Sequence, residues 1–148
     1  PVKVIGEFNH LNHNIETVPS LYRIVRKGAI YERSLELITR SRKIAPYVFT
    51  KSGLMVGCGE TDEEIILVMT DMVKAGCQIF TIGQYLAPTN SPLPVHRYLT
   101  PEKFKQFETI GYELGFIAVN AGAYVRSSYL AGDTMQKIID SKAKRNNV

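Results

Sequence analysis

Apolar runs of strand length alternate with amphipathic segments of helical period along this chain, and that alternation constrains its fold more than any other feature. The runs are VKVIGEF, YVFTKSGLMVG, CQIFTIGQYL and FIAVNAGAYV. Strands that alternate with helices assemble into βα units around a parallel sheet, because a parallel pair needs a long crossover and a helix supplies it. The class read from the pattern is therefore α/β. Four such units make about half of a (β/α) barrel, and a half barrel leaves sheet edges open. The chain also opens at Pro1, without an initiator Met. Both features predict a piece of a longer or processed protein.

The intervening segments carry helix boundaries. Thr61 to Glu64 reads TDEE, a Thr-x-x-Glu capping box, with Ile65, Met69, Met72 and Val73 on one face behind it and Gly76 as C-terminal cap. Thr100, Pro101 and Glu102 open a second helix with proline at its first position. Phe104, Phe107, Ile110, Gly111 and Leu114 form its apolar stripe and Gly115 closes it. YERSLELITRSRKIA predicts a third, with Leu35 and Ile38 inward. The connection APTNSPLPVHRYL is pinned by three prolines and reads as one long loop, of the kind that carries function after strands in parallel folds.

A length of 148 residues with 45% hydrophobic content suits one domain with a real core. No apolar run approaches the roughly 18 residues that span a bilayer, and the opening residues lack the basic and apolar regions of a signal peptide. The net charge of +4 lies largely in the tail KIIDSKAKRNNV, a solvated helix end without the aromatic pattern of a nucleic-acid surface. The two cysteines, Cys58 and Cys77, do not form C-x-x-C. They suit a reduced compartment rather than a disulfide scaffold. With three histidines they are too scattered to form a metal site on their own.

Chemistry-bearing residues gather at strand ends, where parallel α/β proteins bind ligands. NHLNHNIET places Asn12, His13, Asn14 and Glu16 beside a strand, as turn residues or as ligand contacts; His10 and His13 lack a third metal ligand nearby. In TKSGLMVGCGETDEE, Gly53, Gly57 and Gly59 permit close backbone approach to a flat or charged ligand, or serve a tight turn. Lys51 on the same strand is an ordinary strand lysine or the Schiff-base lysine of an aldolase-like barrel. Gln84 and Tyr85 face a ligand or bond loop backbone. In AYVRSSYLAG, Arg126 favours a nearby anion, and Ser127 and Ser128 cap the following helix or do chemistry.

Taken together, NHNIETVPSLY, TKSGLMVGCGET, IGQYLAPT, RYLTPEKF, ELGF and VRSSY resemble the lipoyl synthase family of radical S-adenosylmethionine enzymes, in order and spacing from about Asn12 to Ala131. The resemblance implies the C-terminal half of a partial parallel (β/α) barrel of the radical S-adenosylmethionine type over residues 1–125, followed by a segment with the RSSY motif and basic tail over 126–148. It implies a sulfurtransferase that uses two [4Fe–4S] clusters and S-adenosylmethionine to insert sulfur at C6 and C8 of an octanoyl chain held on a carrier lysine. A 5′-deoxyadenosyl radical removes the hydrogens, and a consumed auxiliary cluster gives the sulfur. Ser128 corresponds to the serine ligand of that auxiliary cluster, a harder and more weakly held ligand than thiolate; Ser127 stays a cap. GLMVGCGE matches the adenine-packing strand, which makes Gly53, Met55 and Gly57 cofactor-binding candidates, with Glu60 holding the turn. Asn12, Asn14 and Glu16 are candidates for the cofactor's ribose or amino-acid end. The implied partners are octanoylated lipoyl-carrier domains or the glycine cleavage H protein and an electron donor such as ferredoxin or flavodoxin, with no nucleic acid and no membrane, in bacterial cytoplasm or mitochondrial matrix.

The chain departs from the family in lacking C-x-x-x-C-x-x-C and the three auxiliary cysteines, so the remaining cluster ligands are expected outside it and the chain alone is expected to be inactive. The doubled NHLNH before NHNIET is also unlike the family. Two other readings stand beside this one: a non-catalytic barrel fragment that binds a ligand or a protein, and an aldolase-like fragment using Lys51.

Overall fold

The computed structural model describes residues 2–5, 8–126 and 140. Its strands are β1 (Val2–Ile5), β2 (Phe8–Asn12), β3 (Phe49–Val56), β4 (Ile79–Gln84) and β5 (Ala118–Gly122). Its α-helices are α1 (Tyr22–Val25), α2 (Tyr31–Ile44), α3 (Asp62–Ala75) and α4 (Pro101–Leu114). One five-stranded sheet has the spatial order β1-β2-β3-β4-β5. β2 to β5 are parallel to their neighbours, and β1 alone is antiparallel, against β2. The chain is thus α/β with a four-strand parallel sheet, as the alternation predicts.

The run VKVIGEF is not one strand. It divides between β1 and β2, and β2 goes on into the NHLN segment to pair with β3 through His10↔Phe49 and Asn12↔Lys51. Asparagine and histidine are poor strand signals, so this parallel partner is masked in the sequence. Neighbouring strand and helix packing override the local preference.

The sheet has two unlike faces. Leu54 and Val56 of β3, Phe80 and Ile82 of β4 and Val119 of β5 share a core with Ile38 of α2, Ile65, Val68, Met69 and Met72 of α3, and Phe104 and Phe107 of α4. Side chains alternate across a strand, so all three long helices stand on that face. The alternate positions Phe49, Ile79 and Ala118 form a separate small cluster. Every residue of β4, and all but Met55 of β3, is buried.

Helix ends fall where their sequence signals put them. Thr61 Oγ1 accepts from Glu64 N at 3.2 Å, and Glu64 Oε2 accepts from Thr61 N at 2.8 Å, completing the capping box of α3. Thr100 caps α4, with Pro101 at its first position. Gly76 and Gly115 close α3 and α4 in the left-handed conformation. Leu35, Val73, Ile110 and Leu114 pack as partly buried residues against the core.

Candidate functional site

Beyond β2 the chain does not turn away. It continues alongside β3 through three anchors. His13 N donates to Lys51 O at 3.0 Å, Glu16 N to Gly53 O at 3.0 Å, and Met55 N to Glu16 O at 2.9 Å. Ile15 N donates to Ser52 Oγ at 3.0 Å, and Tyr22 Oη donates to Ile15 O at 2.6 Å. Glu16 is bridged to Leu54 and sits at φ +71°, a left-handed conformation that a non-glycine residue adopts at a cost of about 1 kcal/mol. The two β3 hydrogen bonds hold it there.

That detour makes one wall of a cavity of about 230 Å³ at the C-terminal side of the sheet. Asn14 and Glu16 line it from beyond β2, Gly53 and Met55 from β3, Thr81 and Gly83 from β4, and Val125 and Arg126 from beyond β5. The register pairs Gly53 with Thr81 and Met55 with Gly83, so these four lie on the face away from the helices. A Cβ at Gly53 would collide with the Thr81 hydroxyl, and one at Gly83 with the Val125 carbonyl. The glycines therefore let two neighbours close onto the sheet. Asn14 Oδ1 is buried with no hydrogen-bond partner among the described residues. It is an acceptor set for a donor that the described residues do not supply.

Four of the six candidate cofactor contacts are brought together here: Asn14, Glu16, Gly53 and Met55. Asn12 and Gly57 are not among the lining residues. Asn12 ends β2, half-buried opposite Lys51, with its Oδ1 also unpartnered among the described residues. Gly57 lies in the β3–α3 turn at φ +96°, where a Cβ would strike the Arg97 carbonyl. Glu60 holds that turn: its carboxylate accepts from Gly57 N at 2.6 Å and Cys58 N at 3.0 Å. The close approach that Gly57 permits is therefore to the protein's own loop.

Gln84 is both cavity wall and loop staple. Its Nε2 donates to the carbonyls of Val56 at 3.2 Å, Tyr85 at 3.0 Å and Arg97 at 3.0 Å, and its Oε1 accepts from Leu99 N at 3.0 Å. Tyr85 Oη donates to Leu93 O at 2.9 Å. Of the two sequence readings, bonding to loop backbone describes Tyr85, and Gln84 combines it with a place in the cavity lining. Arg97 then ties the loop to α3, donating to Asp62 Oδ1 at 2.8 Å, while Lys103 Nζ donates to Asp62 Oδ2 at 2.7 Å.

Lys51 is 3% exposed and does not line the cavity; burial draws its ammonium below the usual lysine range. His13 Nε2 is hydrogen-bonded with Ser34 Oγ at 3.0 Å, an ordinary structural contact. Both cysteines are buried, and burial pushes each thiol up to about 12, so neither offers a ready thiolate. Among the described residues no group of three or more His, Cys, Asp or Glu side chains is placed to hold a metal ion. Ser127, and Ser128 with its assignment as a cluster ligand, lie outside the described residues. The described helices include none long and apolar enough to cross a membrane.

Sequence reasoning missed Thr81 and Gly83. Their signal is cross-strand: once Gly53 and Met55 are suspected, the same-face partners on the next strand are the residues at the pairing register. A single sequence does not supply that register.

No protein-family model matches the chain. It is 56% identical over 121 residues to the lipoyl synthase of Acidovorax ebreus, a match that covers 82% of this chain and 37% of that relative. It is 54% identical over 123 residues to the lipoyl synthase of Neisseria gonorrhoeae, covering 83% of this chain and 38% of the relative. To that of Caldanaerobacter subterraneus it is 53% identical over 121 residues, covering 82% and 43%. The chain thus spans about two-fifths of the length of the curated relatives it matches, in their C-terminal part. Identity at this level over four-fifths of its residues leaves one assignment: the chain belongs to the lipoyl synthase family.

Proposed function

We propose that this chain is the C-terminal part of a lipoyl synthase, a sulfurtransferase that inserts two sulfur atoms at C6 and C8 of a protein-bound octanoyl chain. The observation that carries the reading is the 56% identity to a lipoyl synthase, and it gains support from a cavity gathering Asn14, Glu16, Gly53 and Met55 in one place. On this reading the parallel sheet is part of a radical S-adenosylmethionine barrel, with residues 1–125 as the barrel portion and 126–148 as a segment bearing the RSSY motif.

The cavity fits S-adenosylmethionine by the chemistry of its donor set. Gly53 and Gly83 let Thr81 and Val125 close onto the sheet as cavity walls, Met55 offers an apolar surface to an adenine, and Asn14 Oδ1, unpartnered among the described residues, and the Glu16 carboxylate accept from hydroxyl or ammonium hydrogens. Bound there, the cofactor supplies the hydrogen-abstracting chemistry that opens C6 and C8 to sulfur. The chain's own residues bind and orient it: the left-handed Glu16 aims its carboxylate, and Gln84 and the loop it staples wall the site. Asn12 and Gly57 act at one remove, through the strand and the turn. The described residues do not fit an iron–sulfur cluster. Ser128 is the proposed oxygen ligand of the auxiliary cluster, whose cysteines, like those of the radical cluster, belong to a part of the protein outside this chain. Octanoylated carrier domains or the glycine cleavage H protein are the proposed substrates, with ferredoxin or flavodoxin as reductant. This is chemistry of bacterial cytoplasm or mitochondrial matrix.

A chimera tests this. Replacing the matching C-terminal part of the Acidovorax ebreus lipoyl synthase with this chain is expected to leave lipoyl formation on octanoylated H protein intact, read as the mass of the modified lysine peptide. A chimera with clusters and cofactor bound but no product overturns the reading. Ser128→Ala in the chimera is expected to abolish product while S-adenosylmethionine still binds; product formation by that variant overturns the ligand assignment.

A further inference from the structure

The cavity is electrostatically divided. On its β2–β3 side the polar groups are acceptors: the Glu16 carboxylate and Asn14 Oδ1, the latter buried without a partner among the described residues. On its β4 side lies the Arg126 guanidinium, which carries five N–H donors. Arg126 Nη1 donates to its own Val125 carbonyl at 2.9 Å. Neither Glu16 nor Arg126 forms an ion pair with another described residue. Two opposite charges line one small cavity and do not neutralise each other.

Their spacing follows from the sheet. Glu16 is bridged to Leu54 on β3, and Arg126 stands over Gly83 on β4, where a built Cβ would lie 3.4 Å from Nη1 and collide with the Val125 carbonyl. Adjacent strands are about 4.8 Å apart. The two charged walls are therefore separated by one to two strand spacings, a span suited to a small ligand with a donor-rich part and an anionic end. Gly83 is the position that admits this arrangement, since any side chain there would push residues 125 and 126 off the sheet.

We propose that Arg126 is the specificity-determining residue of this cavity, selecting ligands that carry a carboxylate, with Gly83 as the position that lets it reach them. The inference rests on the reading of the cavity as an S-adenosylmethionine site and assigns its polarity. Hydroxyls or the ammonium meet Asn14 and Glu16, and the carboxylate meets Arg126. Arginine suits the task better than lysine because its planar fork matches both carboxylate oxygens.

Binding separates the possibilities without any need for turnover. The chain and its Arg126→Ala and Arg126→Lys variants are titrated calorimetrically with S-adenosylmethionine, its decarboxylated form and 5′-methylthioadenosine, which lacks the amino-acid end. The unaltered chain is expected to bind S-adenosylmethionine about tenfold more tightly than the decarboxylated form, as for one charge-assisted contact. Arg126→Ala is expected to shrink that ratio to about twofold or less, with Arg126→Lys between, and with 5′-methylthioadenosine affinity the same in all three. That last ligand reports whether the variants keep the cavity. An undiminished ratio in Arg126→Ala, no preference in the unaltered chain, or loss of 5′-methylthioadenosine binding in Arg126→Ala overturns the proposal. If the unaltered chain binds none of the three, the assignment of the cavity to this cofactor falls, and the proposal with it.

Discussion

The side-chain amide of Gln84 donates to the carbonyl of Arg97 at 3.0 Å, and through that bond a strand end and the far end of a proline-pinned loop become one piece. Three carbonyls converge on its Nε2. Gln84→Glu puts an acceptor, and a buried negative charge, among them. The variant is expected to lose about 3 kcal/mol of stability, measured by urea denaturation at pH 7. A loss under about 1 kcal/mol would show that the loop holds without this staple.

Gly53 faces the Thr81 hydroxyl across the β3–β4 pair. Gly53→Ala is expected to destabilise by about 2 kcal/mol through overpacking. Removing the obstructing hydroxyl as well, in Gly53→Ala with Thr81→Ala, is expected to recover about 1 kcal/mol of coupling in a double-mutant cycle. Strict additivity of the two changes would place the strain elsewhere.

Glu16 poses the opposite case. Its left-handed backbone is costly for a side-chain-bearing residue, so Glu16→Gly is expected to gain up to about 1 kcal/mol of stability while weakening S-adenosylmethionine binding. Denaturant unfolding and ligand titration on the same samples check the divergence. Parallel loss of both would mean the carboxylate serves the fold.

Lys103, reinforced by Arg97, holds the Asp62 carboxyl below the usual carboxylate range. A depressed carboxylate contributes stability above its unfolded value, near 3.8, and loses that contribution as pH falls through the lower folded value. Asp62→Asn is therefore expected to be less stable than the unaltered chain at neutral pH, by about 1 kcal/mol, with the gap closing below pH 4. Thermal unfolding from pH 3 to pH 7 reads the trend, and a gap that widens on acidification contradicts it.

Cys58 and Cys77, with thiols pushed up to about 12 by burial, expose roughly one thiolate in ten thousand at pH 8. Iodoacetamide is expected to leave both unmodified in the native chain and to alkylate both in urea, as mass spectrometry would show. Rapid native labelling of either would mean that its surroundings open readily.

The parts of this molecule legible in sequence are those written locally. The capping box at Thr61, the proline start at Pro101 and the apolar faces of α3 and α4 each depend on residues a few positions apart, and each stands where its pattern indicates. β2 was obscured because Asn9, His10 and Asn12 are poor strand signals and form a strand through pairing with β1 and β3. The site divides the same way. Asn14, Glu16, Gly53 and Met55 belong to motifs readable along the chain. Thr81 and Gly83 belong to the cavity through register, and Gly57 leaves it because Glu60 and the Arg97 carbonyl occupy its surroundings. These are distance relations between segments, which no single stretch encodes.

With the three long helices confined to one side of the sheet, consecutive codons of β3 and β4 answer to different judges. Leu54, Val56, Phe80 and Ile82 belong to the core that the helices share, while Met55, outside that core, lines the cavity. Descendants of this chain can thus drift at position 55 and change what the site admits, while inheriting an unaltered scaffold one residue to either side.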